Sequence, residues 1–240
     1  MKLPDLFTQR MKSLLKDEYD LFINALDEVP PVSIRLNPLK KTSKELNHQQ
    51  VMWSELGYYL PERPTFTFDP LFHAGAYYVQ EASSMFLEQI IKSIINQPVK
   101  ALDLCAAPGG KSTHLLSLLP EGSILVSNEV IRQRSRVLSE NLIKWGTANT
   151  IVVQNDPKEI SKLTQVFDFI LVDAPCSGEG MFRKDPESIT EWSLDNVMLC
   201  AARQRRILAD AWLSLRPGGF LVYSTCTYNT EENEDNLRFL

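Results

Sequence analysis

Apolar positions along the chain fall into two regimes. Near the amino end Phe7, Met11, Leu14, Leu15, Phe22 and Leu26 recur at three- and four-residue steps, which predicts one amphipathic helix. Pro30-Pro31 closes it, because the residue before a proline is driven out of helical backbone geometry. The stretch from Val32 to Gly75, broken by Pro38, Pro61, Pro64 and Pro70, holds too many aromatic residues for a disordered linker and predicts a small α/β lobe. A further helix is predicted from about Gln80 to Ile95. From Val99 onward short apolar strands alternate with helices. The strands are Ala101–Cys105, Ile124–Ser127, Thr150–Val153, Phe169–Val172 and Phe220–Ser224. The helices are Ser112–Leu119, Ile131–Trp145 with Gly146 as its cap, and Val197–Leu215 before Pro217-Gly218-Gly219. Such alternation builds a doubly wound parallel sheet. The chain thus divides into an N-terminal lobe over residues 1–79 and an α/β domain over residues 80–240, with no internal repeat.

Composition narrows the class without naming a chemistry. A chain of 240 residues, 44 % hydrophobic with 10 glycines, is ordinary globular material able to bury one sizeable core. No secretory signal fits Met1 to Lys16, and the longest unbroken apolar run, Val197 to Ala202, is far too short to span a membrane. A cytoplasmic protein with no membrane partner is expected. Cys105, Cys176, Cys200 and Cys226 are too scattered for a disulfide framework or a clustered zinc site, so no metal is expected and any chemistry they do is as thiols. The formal charge of −5 argues against a general nucleic-acid coat. Residues 231–240 carry four acids and one arginine, however, so the remainder stands at only −2.

In an open α/β sheet the ligand sits beyond the carboxyl ends of the strands, where the winding reverses. Here that position is Asp103-Leu104-Cys105-Ala106-Ala107-Pro108-Gly109-Gly110-Lys111. Paired glycines let backbone N–H groups close on a ligand, and a helix N-terminus favours an anionic group. Gly110-Lys111-Ser112 matches the end of a phosphate-binding loop, but that pattern needs glycine where Cys105 stands. The carboxylate of S-adenosyl-L-methionine fits better. Glu129 follows strand two, about 20 residues on, where an acid binds ribose hydroxyls. Asp156 follows strand three and is placed to meet the adenine edge. Each acid alone reads as a loop residue or a cap; three loops in register point to a nucleoside cofactor.

Two thiols fall at two further strand ends, Cys176 in Asp173-Ala174-Pro175-Cys176-Ser177-Gly178 and Cys226 in Ser224-Thr225-Cys226-Thr227, facing one crevice. Methylation of an exocyclic amine typically uses an Asp/Asn-Pro-Pro-aromatic loop, and this chain has Asp-Ala-Pro-Cys instead. Carbon 5 of a pyrimidine is too weak a nucleophile to accept a methyl group unaided. A thiolate adding at carbon 6 makes it an enamine, so a reactive cysteine is a chemical requirement. Chemistry alone leaves open which of the two thiols adds. Cys200, within an apolar helical run, reads as a small buried hydrophobe, and so does the thiol of Cys105.

These motifs, with Ser33-Ile34-Arg35-Leu36-Asn37 and Ala74-Gly75-Ala76-Tyr77-Tyr78-Val79-Gln80-Glu81 in the first lobe, resemble the Nop/Sun family of RNA cytosine-5 methyltransferases over most of the chain. The resemblance implies a Rossmann-like methyltransferase sheet of the α/β class and S-adenosyl-L-methionine as cofactor. It also implies ribosomal RNA as partner, within the small ribosomal subunit (16S), and a monomeric enzyme. By that likeness Cys226 is the nucleophile and Cys176 assists release of the methylated RNA. Asp173 meets ring nitrogen 3 of cytosine and stands near the methyl donor, while Lys111 lies over the same pocket. Cofactor contacts implied by the likeness are Cys105, Ala106, Ala107, Pro108, Gly109, Gly110 and Lys111, mainly by backbone, with Glu129, Arg134, Asp156 and Asp173. Arg35 and Asn37 are placed nearest the active site in the first lobe.

The target cytosine must be flipped out or unpaired. Candidate phosphate contacts are Arg183, Lys184, Arg203, Arg205 and Arg206, with Lys40, Lys41 and Lys44 in the first lobe. Competing readings are a tRNA cytosine-5 methyltransferase, a P-loop nucleotidase and a non-catalytic RNA-binding assembly factor. A methyltransferase sheet normally continues with two more strands after the Thr-Cys motif, so a domain truncated at its C-terminal end is expected.

Overall fold

The computed structural model describes residues 2–40 and 48–240. In chain order its helices and strands are α1 (Asp5–Leu15), α2 (Tyr19–Asp27), β1 (Val32–Leu36), β2 (Gly57–Leu60), α3 (Pro70–His73), β3 (Tyr77–Val79), α4 (Leu87–Ile94), β4 (Lys100–Asp103), α5 (Gly110–Leu118), β5 (Ile124–Asn128), α6 (Arg132–Trp145), β6 (Thr150–Val153), α7 (Pro157–Ile160), β7 (Phe167–Asp173), α8 (Pro186–Glu191), α9 (Leu194–Ser214), β8 (Leu215–Ser224) and α10 (Glu234–Phe239). The chain packs as two compact units. One is Met1–Pro30, Ala174–Ala209 and Ser224–Leu240; the other is Pro31–Asp173 and Asp210–Tyr223.

The larger unit holds two sheets. A small antiparallel sheet, ordered β2-β1-β3, pairs Ile34 with Tyr58 on one side and Val79 on the other. The main sheet is ordered β6-β5-β4-β7-β8, with parallel ladders β4–β5, β4–β7 and β5–β6. It is a Rossmann-like sheet whose winding reverses between β4 and β7. Those central strands are apolar on both faces: Ala101, Leu102, Phe169, Ile170, Leu171 and Val172 are fully buried. At roughly 1.5–3 kcal/mol for each large side chain removed from water, this run fixes the centre of the sheet. α6 buries Leu138, Leu142 and Trp145 at helical spacing and ends at Gly146, whose φ of +93° suits only a residue without Cβ.

The first-lobe motif serves this packing. Arg35, fully buried, donates from Nε to Gln80 Oε1 at 2.7 Å and from Nη2 to Thr113 Oγ1 at 2.7 Å and Gly110 O at 3.2 Å. Its guanidinium lies 4.6 Å from the Trp145 ring centroid. Burial pulls its pKa down to about 9, with Tyr78 and Glu88 working against that fall. Asn37 ties Gly75 O (2.9 Å) to Trp145 O (2.8 Å). Gly75 itself has φ +68°, and a Cβ there would lie 2.2 Å from Lys144 O, so the backbones approach too closely for any side chain.

Three expectations are corrected here. The single helix from Phe7 to Leu26 is broken by a 3-10 turn at Lys16–Glu18, with Lys16 at φ +49°. The break turns the two halves onto different partners in the smaller unit. Phe7 meets Phe182 at 5.0 Å and Trp192 at 5.8 Å between centroids, whereas Phe22 meets Tyr228 at 5.3 Å. Leu14 is exposed. The helix expected from Gln80 becomes a 3-10 turn at Ser83–Phe86 leading into α4. Pro217-Gly218-Gly219 does not end a helix at Leu215. α9 stops at Ser214 and the three residues lie inside β8, an edge strand where proline's missing N–H is tolerated.

Candidate active site

In the smaller unit the two cysteine loops come together. Cys176 Sγ and Cys226 Sγ lie 3.0 Å apart, and the Cys226 N–H donates to Cys176 Sγ at 3.3 Å. Backbone bonds tie the loops on both sides, from Ala174 N to Ser224 O (2.9 Å) and from Gly180 N to Cys226 O (2.8 Å). Gly180 is required at that contact, since a Cβ would sit 2.8 Å from the Cys226 carbonyl oxygen.

Two buried carboxylates lock the arrangement reciprocally. Glu179, from the Pro-Cys side, accepts on Oε2 from Thr227 Oγ1 (2.7 Å), Tyr228 N (2.8 Å) and Asn229 N (3.1 Å), and on Oε1 from Trp192 Nε1 (3.0 Å). Glu232, from the Thr-Cys side, accepts on Oε2 from Ser177 N (3.0 Å) and Gln204 Nε2 (2.7 Å), and on Oε1 from Asn229 Nδ2 (2.8 Å). Both are fully buried. A buried charge of this kind persists only because several donors replace its water shell. Cys226 is exposed and Cys176 is only partly so. The hydrogen bond with Cys226, then burial, push the Cys176 thiol far up, so it stays protonated.

In the larger unit the glycine loop forms a cradle between β4 and α5. Gly109 is left-handed at φ +108° and opens α5, whose first-turn N–H groups have no partner inside the helix. The cradle is braced from outside: Arg134 Nη2 donates to Ala107 O (2.8 Å), and Asn141 Nδ2 to Pro108 O (2.8 Å). Glu129, nearly fully buried, accepts from Ile131 N at 2.9 Å and lies 3.5 Å from Arg134 Nη1. Asp156 caps α7 through Lys158 N at 3.0 Å. Lys111 Nζ is 2.7 Å from Asp173 Oδ2, so this lysine is committed to a carboxylate rather than held over the loop as in a phosphate-binding motif. Asp103 accepts from Ser112 Oγ at 2.6 Å, while its Oδ1 and the nearby Ser127 Oγ are buried without a partner. Burial raises the Asp103 carboxyl to about 7; the Ser112 bond opposes the rise and Asp173 adds to it. Burial, with Asp103 and Glu129, also pushes the Cys105 thiol well up, leaving it inert.

This polar cradle, with a helix N-terminus, two flanking acids and unsatisfied buried oxygens, fits a charged nucleoside ligand. Among the described residues no cluster of His, Cys, Asp and Glu fits a metal ion, and no helix is long and apolar enough to cross a membrane. Several basic residues singled out in the sequence have partners within the chain. Arg183 donates to Glu28 O (2.9 Å) and Val29 O (2.8 Å), and Arg205 to Asn236 Oδ1 (3.0 Å). Lys40 binds Ala74 O at 2.6 Å. Arg35 is buried behind the glycine loop. Arg203 and Arg206 are exposed, whereas Lys41 and Lys44 lie outside the described residues. Glu179 and Glu232 went unread in the sequence, where a buried acid looks like any surface acid; the run of Thr227, Asn229, Asn233 and Asn236 around Glu232 is the available signal.

Comparison with known proteins agrees with this geometry. Residues 94–240 match the family model described as 16S rRNA methyltransferase RsmB/F, and residues 3–82 match the N-terminal domain of 16S rRNA methyltransferase RsmF. The ribosomal RNA small subunit methyltransferase F of Salmonella paratyphi A is 36 % identical over 97 % of the chain and 52 % of its own length. The chain therefore spans about half the length of the curated relatives it matches. The crystal structure of PH0851 superposes with a TM-score of 0.91 at 27 % identity, over 99 % of this chain and 56 % of that one. A methyltransferase homologue from Pyrococcus horikoshii gives 0.83 at 31 % identity, over 98 % and 77 %.

The carboxylate lock predicts that Glu179→Gln, which leaves one acceptor where four donors converge, lowers stability by about 2 kcal/mol. It should also speed alkylation of Cys176 by iodoacetamide, read by peptide mass spectrometry; unchanged values of both would contradict the lock. Asp103 gives a pH test. Its folded pKa lies above the unfolded value, so the native state favours the protonated form and loses stability as pH rises from about 4 through about 7. Asp103→Asn removes that loss, so its urea midpoint should rise relative to the parent between about pH 5 and pH 8. Parallel midpoints at the two pH values would show that Asp103 does not titrate there.

Proposed function

The chain belongs to the 16S rRNA methyltransferase RsmB/F family, and from that membership we propose that it methylates carbon 5 of a cytosine in small-subunit ribosomal RNA, using S-adenosyl-L-methionine. The observation that carries this reading is the paired thiols, 3.0 Å apart on two loops locked to each other. Amine methylation needs no such pair, whereas carbon 5 methylation needs one thiol to add to the base and a second group to help undo the adduct.

Cys226 is the nucleophile in this scheme. It is the more exposed sulfur, and a thiolate is less costly where water reaches it. Its addition to carbon 6 places electron density on carbon 5 and on the ring nitrogens. Nitrogen 3 takes up a proton as charge builds there, and the Asp173 carboxylate accepts a hydrogen bond from that N–H. Lys111, paired with Asp173, keeps that carboxylate oriented toward the base. When bound, S-adenosyl-L-methionine supplies an electrophilic methyl group. The backbone of Cys105, Ala106, Ala107, Pro108, Gly109, Gly110 and Lys111 holds its charged amino-acid end, Glu129 the ribose and Asp156 the adenine edge. Arg134 acts through Ala107 O and Glu129, positioning the loop and the acid. Water takes the proton from carbon 5, the electron pair so released re-forms the 5,6 double bond, and the Cys176 thiol donates a hydrogen bond to the Cys226 sulfur as it leaves carbon 6. A cytoplasmic monomer acting on ribosomal RNA completes the reading.

Cys226→Ala should abolish methyl incorporation into unmodified 16S rRNA, and retained activity would sink the nucleophile assignment. Cys176→Ala should leave a covalent RNA–protein complex that survives a denaturing gel. A variant that turns over freely without such a complex would remove the release role.

A further inference from the structure

A cleft of about 580 Å³ opens in the larger unit, between the small sheet and the C-terminal half of α6. Its walls include the rings of Phe66, Phe72 and Tyr78 and the polar ends of Arg63, Asn141 and Lys144. Phe66 and Phe72 stand together in this wall, their ring centroids 6.1 Å apart. Both cations lie against it, Lys144 Nζ 4.3 Å from the Phe72 centroid and the Arg63 guanidinium 5.6 Å from that of Phe66. Among the described residues no carboxylate lines the cleft, and neither cation has an ion-pair partner within 4.0 Å. Burial lowers the pKa of Lys144, with Lys40 adding to that and Glu140 opposing it, so an added negative charge beside it would be welcome. The far wall reaches the glycine loop itself: Pro108 O accepts from Asn141 Nδ2 at 2.8 Å and from the Tyr78 hydroxyl at 3.4 Å.

We propose that this cleft is a subsite for an unpaired nucleotide of the RNA substrate, its base against the aromatic wall and its phosphate between Arg63 and Lys144. The chemistry selects that occupant. Flat rings accept any base by stacking, two cations without acids accept a phosphodiester, and a cleft of this size admits a base only when it is not paired in a helix. An acidic peptide would use the cations but leave the rings unmatched. The inference rests on the reading of the protein as an RNA methyltransferase and places part of the strand flanking the target cytosine beside the loop that carries the cofactor.

The test is equilibrium binding of the full chain to a short single-stranded oligoribonucleotide of mixed sequence, and to the same sequence as a duplex, across a salt series. In the Arg63→Gln/Lys144→Gln double variant, affinity for the single strand should fall about tenfold. The salt slope should fall by about 0.7, the loss of one phosphate contact, and duplex binding should not change. Thiouridine placed in the same oligonucleotide should crosslink, in the unaltered protein, to peptides carrying Phe66, Phe72 or Tyr78. Unchanged single-strand affinity and slope, equal losses for duplex, or crosslinks only elsewhere would each overturn the subsite. Methyl incorporation into 16S rRNA and calorimetry with S-adenosyl-L-methionine, run on the same samples, separate the two readings. A chain that methylates rRNA but passes none of the cleft tests refutes the subsite alone. A chain that binds single strands through the cleft but transfers no methyl refutes the enzymatic reading alone.

Discussion

Two carboxylates that never meet solvent set the geometry on which the chemistry depends. Glu179 follows Cys176 by three residues and grips the backbone after Cys226; Glu232 follows Cys226 by six and grips the backbone after Cys176. Each loop therefore fixes the other. Loops at strand ends are ordinarily the most mobile parts of an α/β protein, and two thiols on separate loops have no inherent reason to stay within contact. At least seven donors gathered on two buried anions overcome that tendency, because neither loop can move without stranding a charge away from water. In the proposed reaction, preorganisation of this sort lowers the reorganisation required when a base meets the two thiols.

The larger unit solves a different problem with a buried cation. Arg35 joins the first lobe to the opening turn of α5, so the glycine-loop cradle is supported from behind by a guanidinium stacked on Trp145. Arg134 and Asn141 brace the same loop from the other side through the Ala107 and Pro108 carbonyls. The cradle is thereby held at its rim, while its floor keeps the unsatisfied oxygens of Asp103 and Ser127. A site that leaves buried polar atoms without partners is less stable alone than with a polar ligand in place.

Much of this was legible in the sequence because it rests on periodicity and on strand ends. The five strands of the main sheet, the cap at Gly146, the Gly109-Gly110 turn and the meeting of Cys176 with Cys226 all follow from local pattern. The apolar runs of β4 and β7 could only be central strands, and residues just beyond such strands must share one edge of the sheet. What could not be read is what tertiary contact decides. The left-handed Lys16 that breaks the first helix is set by aromatic partners far along the chain, and nothing within the helix itself marks it. Arginine contacts are hidden for the same reason: Arg183 and Arg205 look like surface charges until their carbonyl and amide acceptors are known. A buried Glu179 carries no local sign either, since three of its four donors lie about 50 residues away.

The account turns on which sulfur attacks the base. RNA transcribed with 5-fluorocytidine in place of cytidine arrests the reaction after methyl transfer, because no proton can leave carbon 5 to release the enzyme. Incubating the unaltered protein with such 16S rRNA and S-adenosyl-L-methionine, followed by digestion and tandem mass spectrometry, locates the linked residue directly. The adduct is expected on the peptide bearing Cys226 and on no other. An adduct on Cys176, or methyl transfer that leaves both cysteines unmodified, would contradict the account.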